Sequence, residues 1–182
     1  MDNGASSYRR FLSGDDSGMV ELIRDYKDGL LLYLNSFTNN LSLAEDCVQD
    51  TFIKLAIKKP KFREKSTFKT WLYAIGRNVT LDTLRKLRHH ASLDEISELA
   101  DMQDLEQDYL IEEQKIAVHR AIRNLKQDYQ QVIYLVYFEN FTNDETAKVM
   151  HKTKKQIENL LYNARKALKS ELEKEGVCYE NL

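Results

Sequence analysis

The chain has 182 residues, of which 42% are hydrophobic and 31% charged, and its formal net charge is −2 at pH 7. This composition can build a core and excludes a broadly disordered chain. Six glycines and one proline are too few to turn a chain between the many strands of a sandwich or barrel. The sequence therefore predicts an all-α protein.

Several other classes of protein are disfavoured. No apolar run approaches the roughly 20 residues of a membrane-spanning helix, and the N-terminus lacks the apolar core of a signal peptide. Two cysteines, Cys47 and Cys178, are too few for a disulfide framework or a zinc site. Motifs for a nucleophile, a phosphate loop or metal ligands are missing. We expect a cytoplasmic protein that is not an enzyme and has no cofactor, metal or membrane insertion.

Three helices are predicted in the first half of the chain. A leucine-rich stretch predicts the first helix from about Gly18 to Phe37. The second begins with Ser42 as the N-cap of a capping box and ends near Lys59, before the proline. The third extends from about Thr67 to His89. Apolar residues at helical spacing form the predicted buried faces, which are Ala44, Val48, Phe52 and Leu55 in the second helix and Phe68, Leu72, Ile75 and Val79 in the third.

An acidic segment divides the chain. Residues 91–113 contain nine acidic and no basic side chains, and like-charge repulsion favours an extended conformation. We interpret this segment as a linker between a domain at residues 1–90 and a second domain at residues 114–182. A solvated surface helix is the alternative interpretation.

The second domain starts with two apolar helical patterns. The first runs from Val118 to Leu125 and the next from Tyr129 to Val136. The run VIYLVYF at 132–138 is β-prone in composition, but no second strand is available to pair with it. We therefore predict a buried helix there.

Two capping boxes, Thr142–Glu145 and Thr153–Gln156, predict a short helix over 143–150 and a longer one over 154–174. Two helices joined this tightly are typical of a helix-turn-helix, whose second helix enters the major groove of DNA. The net charge between Lys148 and Lys169 is +6. An amphipathic helix with a solvated lysine face is the alternative. The candidate DNA contacts are Lys152, Lys154, Lys155, Gln156, Glu158, Asn159, Asn163, Arg165 and Lys166.

A second basic region lies at residues 58–90, where the net charge is +8 and aromatic residues are interleaved. Basic side chains bind phosphates and exposed rings stack on unpaired bases, so this combination favours an opened strand over intact duplex. Taken singly, Phe68 and Trp71 are better explained as core residues than as stacking platforms. The candidate contacts are Lys61, Phe62, Arg63, Trp71, Arg77, Asn78, Arg85, Lys86 and Arg88.

The helix from Ser42 carries one further face that burial does not explain. Its acidic start continues into apolar residues, which predicts a protein-docking face. The residues of this face are Asp46, Gln49, Asp50 and Ile53.

Three strings carry a resemblance to a known family. They are AEDCVQDTF at 44–52, TWLYAIGRN at 70–78 and NARKAL at 163–168. Their order and separation resemble those of bacterial RNA polymerase sigma factors of the sigma-70 family, in particular the extracytoplasmic-function (ECF) type. The resemblance covers most of the chain.

The resemblance implies an alternative sigma factor that binds core RNA polymerase and directs promoter-specific transcription initiation, without catalysis of its own. It implies that the domain at 1–90 is region 2, which melts and holds the −10 element of promoter DNA, and that the domain at 114–182 is region 4, which reads the −35 element. The docking face would bind the largest polymerase subunit, and the acidic linker would pass near the path of RNA. An inhibitory anti-sigma factor is a further expected partner, and the additional regions of a housekeeping sigma factor are not expected.

The chain departs from the family pattern at three positions. His151 stands in the turn where the family usually has glycine, and a positive φ is uncommon for histidine. Glu158 and Asn163 stand where the family typically has basic residues, so we expect a different preferred −35 sequence.

A stand-alone helix-turn-helix regulator that binds duplex DNA as a dimer is the alternative function. It leaves the basic region at 58–90 and the docking face unexplained.

Overall fold

The computed structural model describes residues 3–91 and 111–174, and the secondary structure in these ranges is helical, with no strand. The all-α class is confirmed. Within the same ranges no helix is both long and apolar enough to cross a membrane. Most of the predicted linker lies outside the described residues. The elements are α1 (Asn3–Leu12), α2 (Ser17–Thr38), α3 (Leu41–Lys58), α4 (Phe68–Ala91), α5 (Ile111–Arg123), α6 (Gln127–Ile133), a π-helix (Tyr134–Phe138), α7 (Asn143–Met150) and α8 (Lys154–Lys174).

Helices α1 to α4 form a first unit centred on α2, which contacts the other three. Leu30, Tyr33 and Leu34 of α2 are fully buried. The predicted buried face of α3 is confirmed at all four residues. Truncation of a buried leucine in such a core costs about 2–5 kcal/mol of unfolding free energy.

The buried face of α4 differs in part from the prediction. Phe68 and Leu72 are buried as predicted. The prediction is wrong for Ile75 and Val79, which are only half-buried. The buried stripe instead includes Tyr73, which packs against Phe141 of the second unit, and Gly76, which faces Leu30 and Leu34 of α2, because α4 is covered on two sides.

The start of α3 corrects the predicted cap. Asn40, and not Ser42, is the N-cap, and its side chain accepts a hydrogen bond from the Leu43 amide at 2.9 Å. Asparagine caps a helix as well as serine does, so the helix begins at Leu41 and Ser42 lies in its first turn.

Helix α1 is not predicted from the sequence. Its buried residues include Ala5, Tyr8 and Phe11, at a spacing that could have indicated it. The Tyr8 hydroxyl donates to the Pro60 carbonyl at 2.8 Å and joins α1 to the end of α3. Burial raises the pKa of Tyr8 to about 12, so this donor stays protonated at neutral pH.

Helices α7 and α8 form the predicted helix-turn-helix, with the predicted bounds. Both capping boxes are present. The Thr142 amide donates to Glu145 at 3.0 Å, and the Thr153 amide donates to Gln156 at 2.8 Å. His151 ends α7 with φ 53° and ψ 45°, so this histidine adopts the positive φ that is uncommon for its type.

The run 132–138 is helical, as predicted, and its last five residues form the π-helix. Val132, Ile133 and Leu135 are buried, but the prediction of burial is wrong for Tyr137 and Phe138, which are exposed. A π-helix places more residues in each turn and so rotates the following side chains around the axis.

The two units pack directly against each other, which the sequence does not predict. Helix α4 contacts α7, and α2 contacts α6 and the π-helix. The Tyr73 ring packs against the Phe141 ring at a centroid distance of 5.1 Å. The Gln127 side-chain amide donates to the Phe37 carbonyl at 3.0 Å. The buried apolar residues of both units therefore form one continuous core.

His151→Gly tests the strain in the turn. A left-handed conformation costs about 1 kcal/mol more for a residue with a Cβ than for glycine, so we expect an increase of that size in the free energy of unfolding. Urea titration measures it. His151→Ala keeps the Cβ and is the control, for which we expect no increase. A gain of the same size in both variants would contradict the assignment of strain to the Cβ.

Candidate nucleic-acid interface

One face of α8 is open to solvent along its length. Eight of the nine predicted contacts are exposed, and only Lys152 in the turn is half-buried. Tyr162, which the sequence-based set omits, is 70% exposed. Amide side chains can bind adenine bidentately, and an apolar ring can contact the methyl group of thymine. The face is therefore able to read base edges in a major groove. The exposed residues are Lys154, Lys155, Gln156, Glu158, Asn159, Asn163, Arg165 and Lys166.

The start of α8 is held by ion pairs and by its cap. Lys154 contacts Asp144 at 2.9 Å across the turn, and Lys152 contacts Asp128 at 3.1 Å. The hydrogen bond with Asp144 raises the pKa of Lys154, which therefore stays charged. The Gln156 side-chain carbonyl accepts from Thr153, so only its amide group remains to donate to a base.

Arg165 is positioned by a residue that the sequence analysis missed. Its Nε–H donates to the Tyr137 hydroxyl, and its guanidinium lies 5.6 Å from the centre of the Tyr137 ring. Tyr137 belongs to the π-helix, whose geometry exposes it. No sequence signal indicates this pair, since the two residues lie 28 positions apart.

In the loop before α4, one cationic residue precedes an aromatic residue and another follows it. Lys61 and Arg63 are exposed, and Phe62 between them is half-buried. The Phe62 ring packs against Trp71 at 5.1 Å, and Trp71 packs against Tyr8 at 5.4 Å. Phe68 is fully buried in the same aromatic cluster, so its interpretation as a core residue is confirmed. Trp71 is half-buried at the edge of the core.

The second half of α4 carries four more of the candidate DNA contacts, one amide and three basic side chains. Asn78, Arg85, Lys86 and Arg88 are exposed, and Arg85 pairs with Asp82 at 3.1 Å. Arg85 and Arg88 line a cleft of about 240 Å³ together with Gln127 of the second unit. Domain packing thus brings residues of the first unit that were predicted to bind DNA close to α6.

Arg77 is less accessible than its neighbours on α4. It is half-buried, and within the described parts of the chain its Nε–H has no hydrogen-bond acceptor. The nearby Tyr33 hydroxyl is also buried without a partner among the described residues. Burial raises the pKa of Tyr33, and the charges of Arg77 and Asp128 act on it with opposite effect. Arg77 and Asp128 of α6 therefore both lie near the Tyr33 hydroxyl.

The predicted docking face is one wall of a groove between α2 and α3. The groove has a volume of about 640 Å³, and Asp46, Gln49 and Ile53 line its α3 side. Asp50 is exposed nearby. The α2 wall is absent from the sequence-based set, because the pairing of two helix faces cannot be seen along one helix. It consists of Met19, Ile23, Lys27 and Leu31.

Two family models match the chain in the order of the two units. The model of Sigma-70 region 2 matches residues 22–90, and the model of Sigma-70 region 4 matches residues 115–168. Both predicted regions are therefore recognised independently of the motifs quoted above.

Several sigma factors are similar to this chain over most of their length. The ECF RNA polymerase sigma factor SigW of Bacillus subtilis is 25% identical over 172 residues, which cover 87% of this chain and 91% of SigW. The RNA polymerase sigma factor YlaC of the same organism is 28% identical over 159 residues, which cover 85% of this chain and 91% of YlaC. The RNA polymerase sigma-H factor of Pseudomonas aeruginosa is 27% identical, with coverages of 90% and 91%.

Two solved structures share the fold. The sigma factor RpoE of Bartonella quintana, in complex with the anti-sigma factor NepR, aligns with a TM-score of 0.68 at 22% identity, over 84% of this chain and 95% of RpoE. CnrH, in complex with the cytosolic domain of CnrY, aligns with a TM-score of 0.62 at 21% identity, over 94% and 95% of the two chains.

Proposed function

Because this chain belongs to the sigma-70 family, and within it to the ECF type, we propose that it is an alternative sigma factor. It binds core RNA polymerase and directs promoter-specific transcription initiation. The observation that carries this proposal is the match of both family models, in order, to two helical units that each expose a suitable surface. The chain acts in the cytoplasm, where the polymerase is, and adds no catalysis of its own.

The domain at residues 1–90 supplies the polymerase contact. The groove between α2 and α3 offers acidic side chains at one end and apolar ones at the other, with Ile53 48% exposed beside it. A helix with an apolar stripe and basic flanks fits such a groove. We propose that this groove binds the part of the largest polymerase subunit that docks on sigma factors.

The same domain melts and holds the −10 element. Lys61 and Arg63 contact backbone phosphates, and the exposed edges of Phe62 and Trp71 contact unpaired bases. Each stacked base-pair step costs about 1–2 kcal/mol to open, and stacking on a ring returns about 1–3 kcal/mol per base, so a few captured bases suffice. Asn78, Arg85, Lys86 and Arg88 contact the DNA further upstream.

The domain at residues 114–182 reads the −35 element through α8. Asn159 and Asn163 can bind adenine edges, and Glu158 can accept from the amino group of cytosine. Lys155, Arg165 and Lys166 contact phosphates. A carboxylate and an amide at positions 158 and 163 select different bases from the cations typical of the family, so the −35 sequence is particular to this protein.

An anti-sigma factor is a further partner that we propose. The related RpoE structure was solved with an anti-sigma factor bound, and CnrH was solved with the cytosolic domain of CnrY. The groove between α2 and α3 is the accessible apolar surface that a helix of the inhibitor would occupy. Occupation of this groove would compete with the polymerase.

Ile53→Lys tests the polymerase contact. A cation replaces an exposed apolar side chain in the groove, so we expect at least a tenfold loss of affinity for core polymerase, with unchanged helical content. Co-sedimentation measures the affinity for core polymerase, and circular dichroism measures the helical content. Leu12→Lys is the matched control, because Leu12 is 41% exposed on α1 outside the groove, and it should behave as the unaltered chain.

Run-off transcription separates the two candidate functions. The unaltered chain should initiate at a cognate promoter only together with core polymerase. A palindromic footprint without polymerase, and no transcription with it, would favour the stand-alone dimeric regulator.

Asn159→Ala tests base reading by α8. We expect the preferred −35 sequence to relax at one position, with a loss of about 1–3 kcal/mol of discrimination, while affinity for unrelated duplex changes little. Selection from a randomised −35 library by the holoenzyme measures it. Lys166→Ala should instead weaken binding to all sequences alike. An unchanged preference for Asn159→Ala would remove this residue from the reading face.

A further inference from the structure

The loop that carries several of the proposed −10 contacts contains two residues in an unfavourable backbone conformation. This loop, residues 59–67, joins α3 to α4, and we call it the −10 loop. Lys59 has φ 44° and Glu64 has φ 54°, values that are uncommon for residues other than glycine. The residues from Lys61 to Arg63, which the proposed function places on the melted strand, lie between them. A strained backbone of this kind persists only where surrounding contacts hold it.

Helix α1 contacts the −10 loop at its start. The Tyr8 hydroxyl donates to the Pro60 carbonyl at 2.8 Å. Lys59 Nζ lies 5.0 Å from the centre of the Phe11 ring, which is within the range of a cation–π contact. Tyr8 and Phe11 are both buried in the core of the first unit. The start of the loop is therefore tied to core side chains of α1.

The same helix contacts the −10 loop again further along. Arg9 Nη1 lies 4.0 Å from Glu64 Oε1, and both side chains are exposed. An exposed ion pair of this length contributes little to stability, so its effect is on where the loop lies. The two residues of the loop with positive φ are thus the two whose side chains contact α1. These contacts lie on either side of the residues from Lys61 to Arg63.

Two glycines let α1 pack closely on the rest of the first unit. A Cβ at Gly18 of α2 would overlap the Ser7 carbonyl oxygen, so the backbones of α1 and α2 touch there. A Cβ at Gly4 would overlap the ring of Phe68. The Ser7 hydroxyl also donates to the Glu21 carboxylate at 2.7 Å. Helix α1 is therefore held in place by α2 and α4, and it offers the −10 loop a fixed support.

Tyr8 also connects the −10 loop to the aromatic rings of the site. Its ring packs against Trp71 at 5.4 Å and against Phe68 at 5.5 Å. Phe62 of the loop packs against the same Trp71 ring at 5.1 Å. Phe62 and Trp71 are the rings that the proposed function places against unpaired bases. One buried tyrosine therefore contacts both the backbone of the loop and the ring on which the loop's own aromatic side chain lies.

A loop that is held in place selects its ligand more sharply than a mobile one. An ordered loop loses less conformational entropy when it binds, so more of the contact energy appears as affinity. A mobile loop can rearrange around different ligands, which lowers selectivity. The choice among unpaired bases should therefore depend on the contacts that hold the −10 loop.

We infer that α1 is a positioning element of the −10 site, in which Tyr8 and Arg9 hold the −10 loop on either side of its DNA contacts and so set its selectivity among unpaired bases. This inference rests on the proposed function. Tyr8 is buried and acts through the loop, so it is a positioning residue. The family model of Sigma-70 region 2 begins at residue 22, and α1 lies before it. The matched residues include the loop but not the helix that holds it.

Tyr8→Phe tests the contact at the start of the loop. The variant keeps the buried ring and removes the hydroxyl, so the Pro60 carbonyl loses its donor and the loop is freer to move. The probes are a single-stranded oligonucleotide with the −10 sequence that the parent holoenzyme selects from a randomised library, and the same oligonucleotide with its most strongly selected base replaced. We expect the ratio of the two affinities for the holoenzyme, measured by fluorescence anisotropy, to fall at least threefold. Affinity for core polymerase should change less than twofold.

Tyr33→Phe is the matched control. Tyr33 is also a fully buried tyrosine of the first unit, and its hydroxyl has no hydrogen-bond partner among the described residues. Its ring packs against Phe37 and Tyr73, which lie outside the −10 loop. The same atom is removed in both variants, so a general weakening of the core would lower the affinity ratio in both. We expect the ratio to stay unchanged in Tyr33→Phe, and urea titration compares the stability of the two variants.

Exchange of two charges tests the second contact. Arg9→Glu places two carboxylates side by side, and Glu64→Arg places two cations there, so each variant alone should lower the affinity ratio at least twofold. The double variant restores an opposite pair and the net charge of the parent, and the ratio should recover. Both positions are exposed, so these variants keep the inference testable even if Tyr8→Phe does not fold.

An unchanged ratio in Tyr8→Phe, an equal fall in Tyr33→Phe, or no recovery in the double charge variant would overturn the inference. Run-off transcription by the parent separates this failure from that of the proposed function. A parent that initiates transcription with core polymerase, combined with a Tyr8→Phe variant that discriminates as the parent does, would reject the role of α1 alone. A parent that never supports initiation would reject the proposed function.

Discussion

The position of one carboxylate determines how the two halves of this protein are arranged. Glu139 reaches into the space above Gly29 and binds Lys69 and Tyr73, so α4 cannot move away from the π-helix without breaking charged hydrogen bonds. Glu139 directly follows the π-helix, and the wider turn of that helix sets the direction in which its side chain points. Beside this contact the aromatic rings of Tyr73 and Phe141 pack against each other at 5.1 Å. The mixed polar and apolar character is that of an interface between domains that can separate.

The same arrangement divides the proposed binding surfaces into two groups. The groove between α2 and α3 and the reading face of α8 stay open, whereas Arg77 and the start of α4 are covered. Most of the residues proposed to contact the −10 element, Lys61, Arg63 and Asn78 among them, also stay exposed.

The sequence predicts the helices well where one chemical signal sets each end. The two capping boxes give both helices of the helix-turn-helix at the right residues, because threonine and its partner three positions on bond reciprocally. The cap at Ser42 is wrong because Asn40 offers an equivalent acceptor two residues earlier. Features made by two distant segments are not predictable in this way. The α2 wall of the groove, the pairing of Arg165 with Tyr137 and the contact of Glu139 with Lys69 all depend on packing between elements. Helix α1 is missed for another reason, since its polar residues dilute a short apolar pattern.

The central claim is that Lys69 and Glu139 join the two units by a direct contact. A carbodiimide joins a lysine to a carboxylate only when the two are in direct contact, and here the nitrogen and oxygen lie 2.7 Å apart. Mass spectrometry of peptides from the cross-linked protein measures this contact without any substitution. The account predicts a Lys69–Glu139 cross-link in the chain alone. Absence of this cross-link would contradict it.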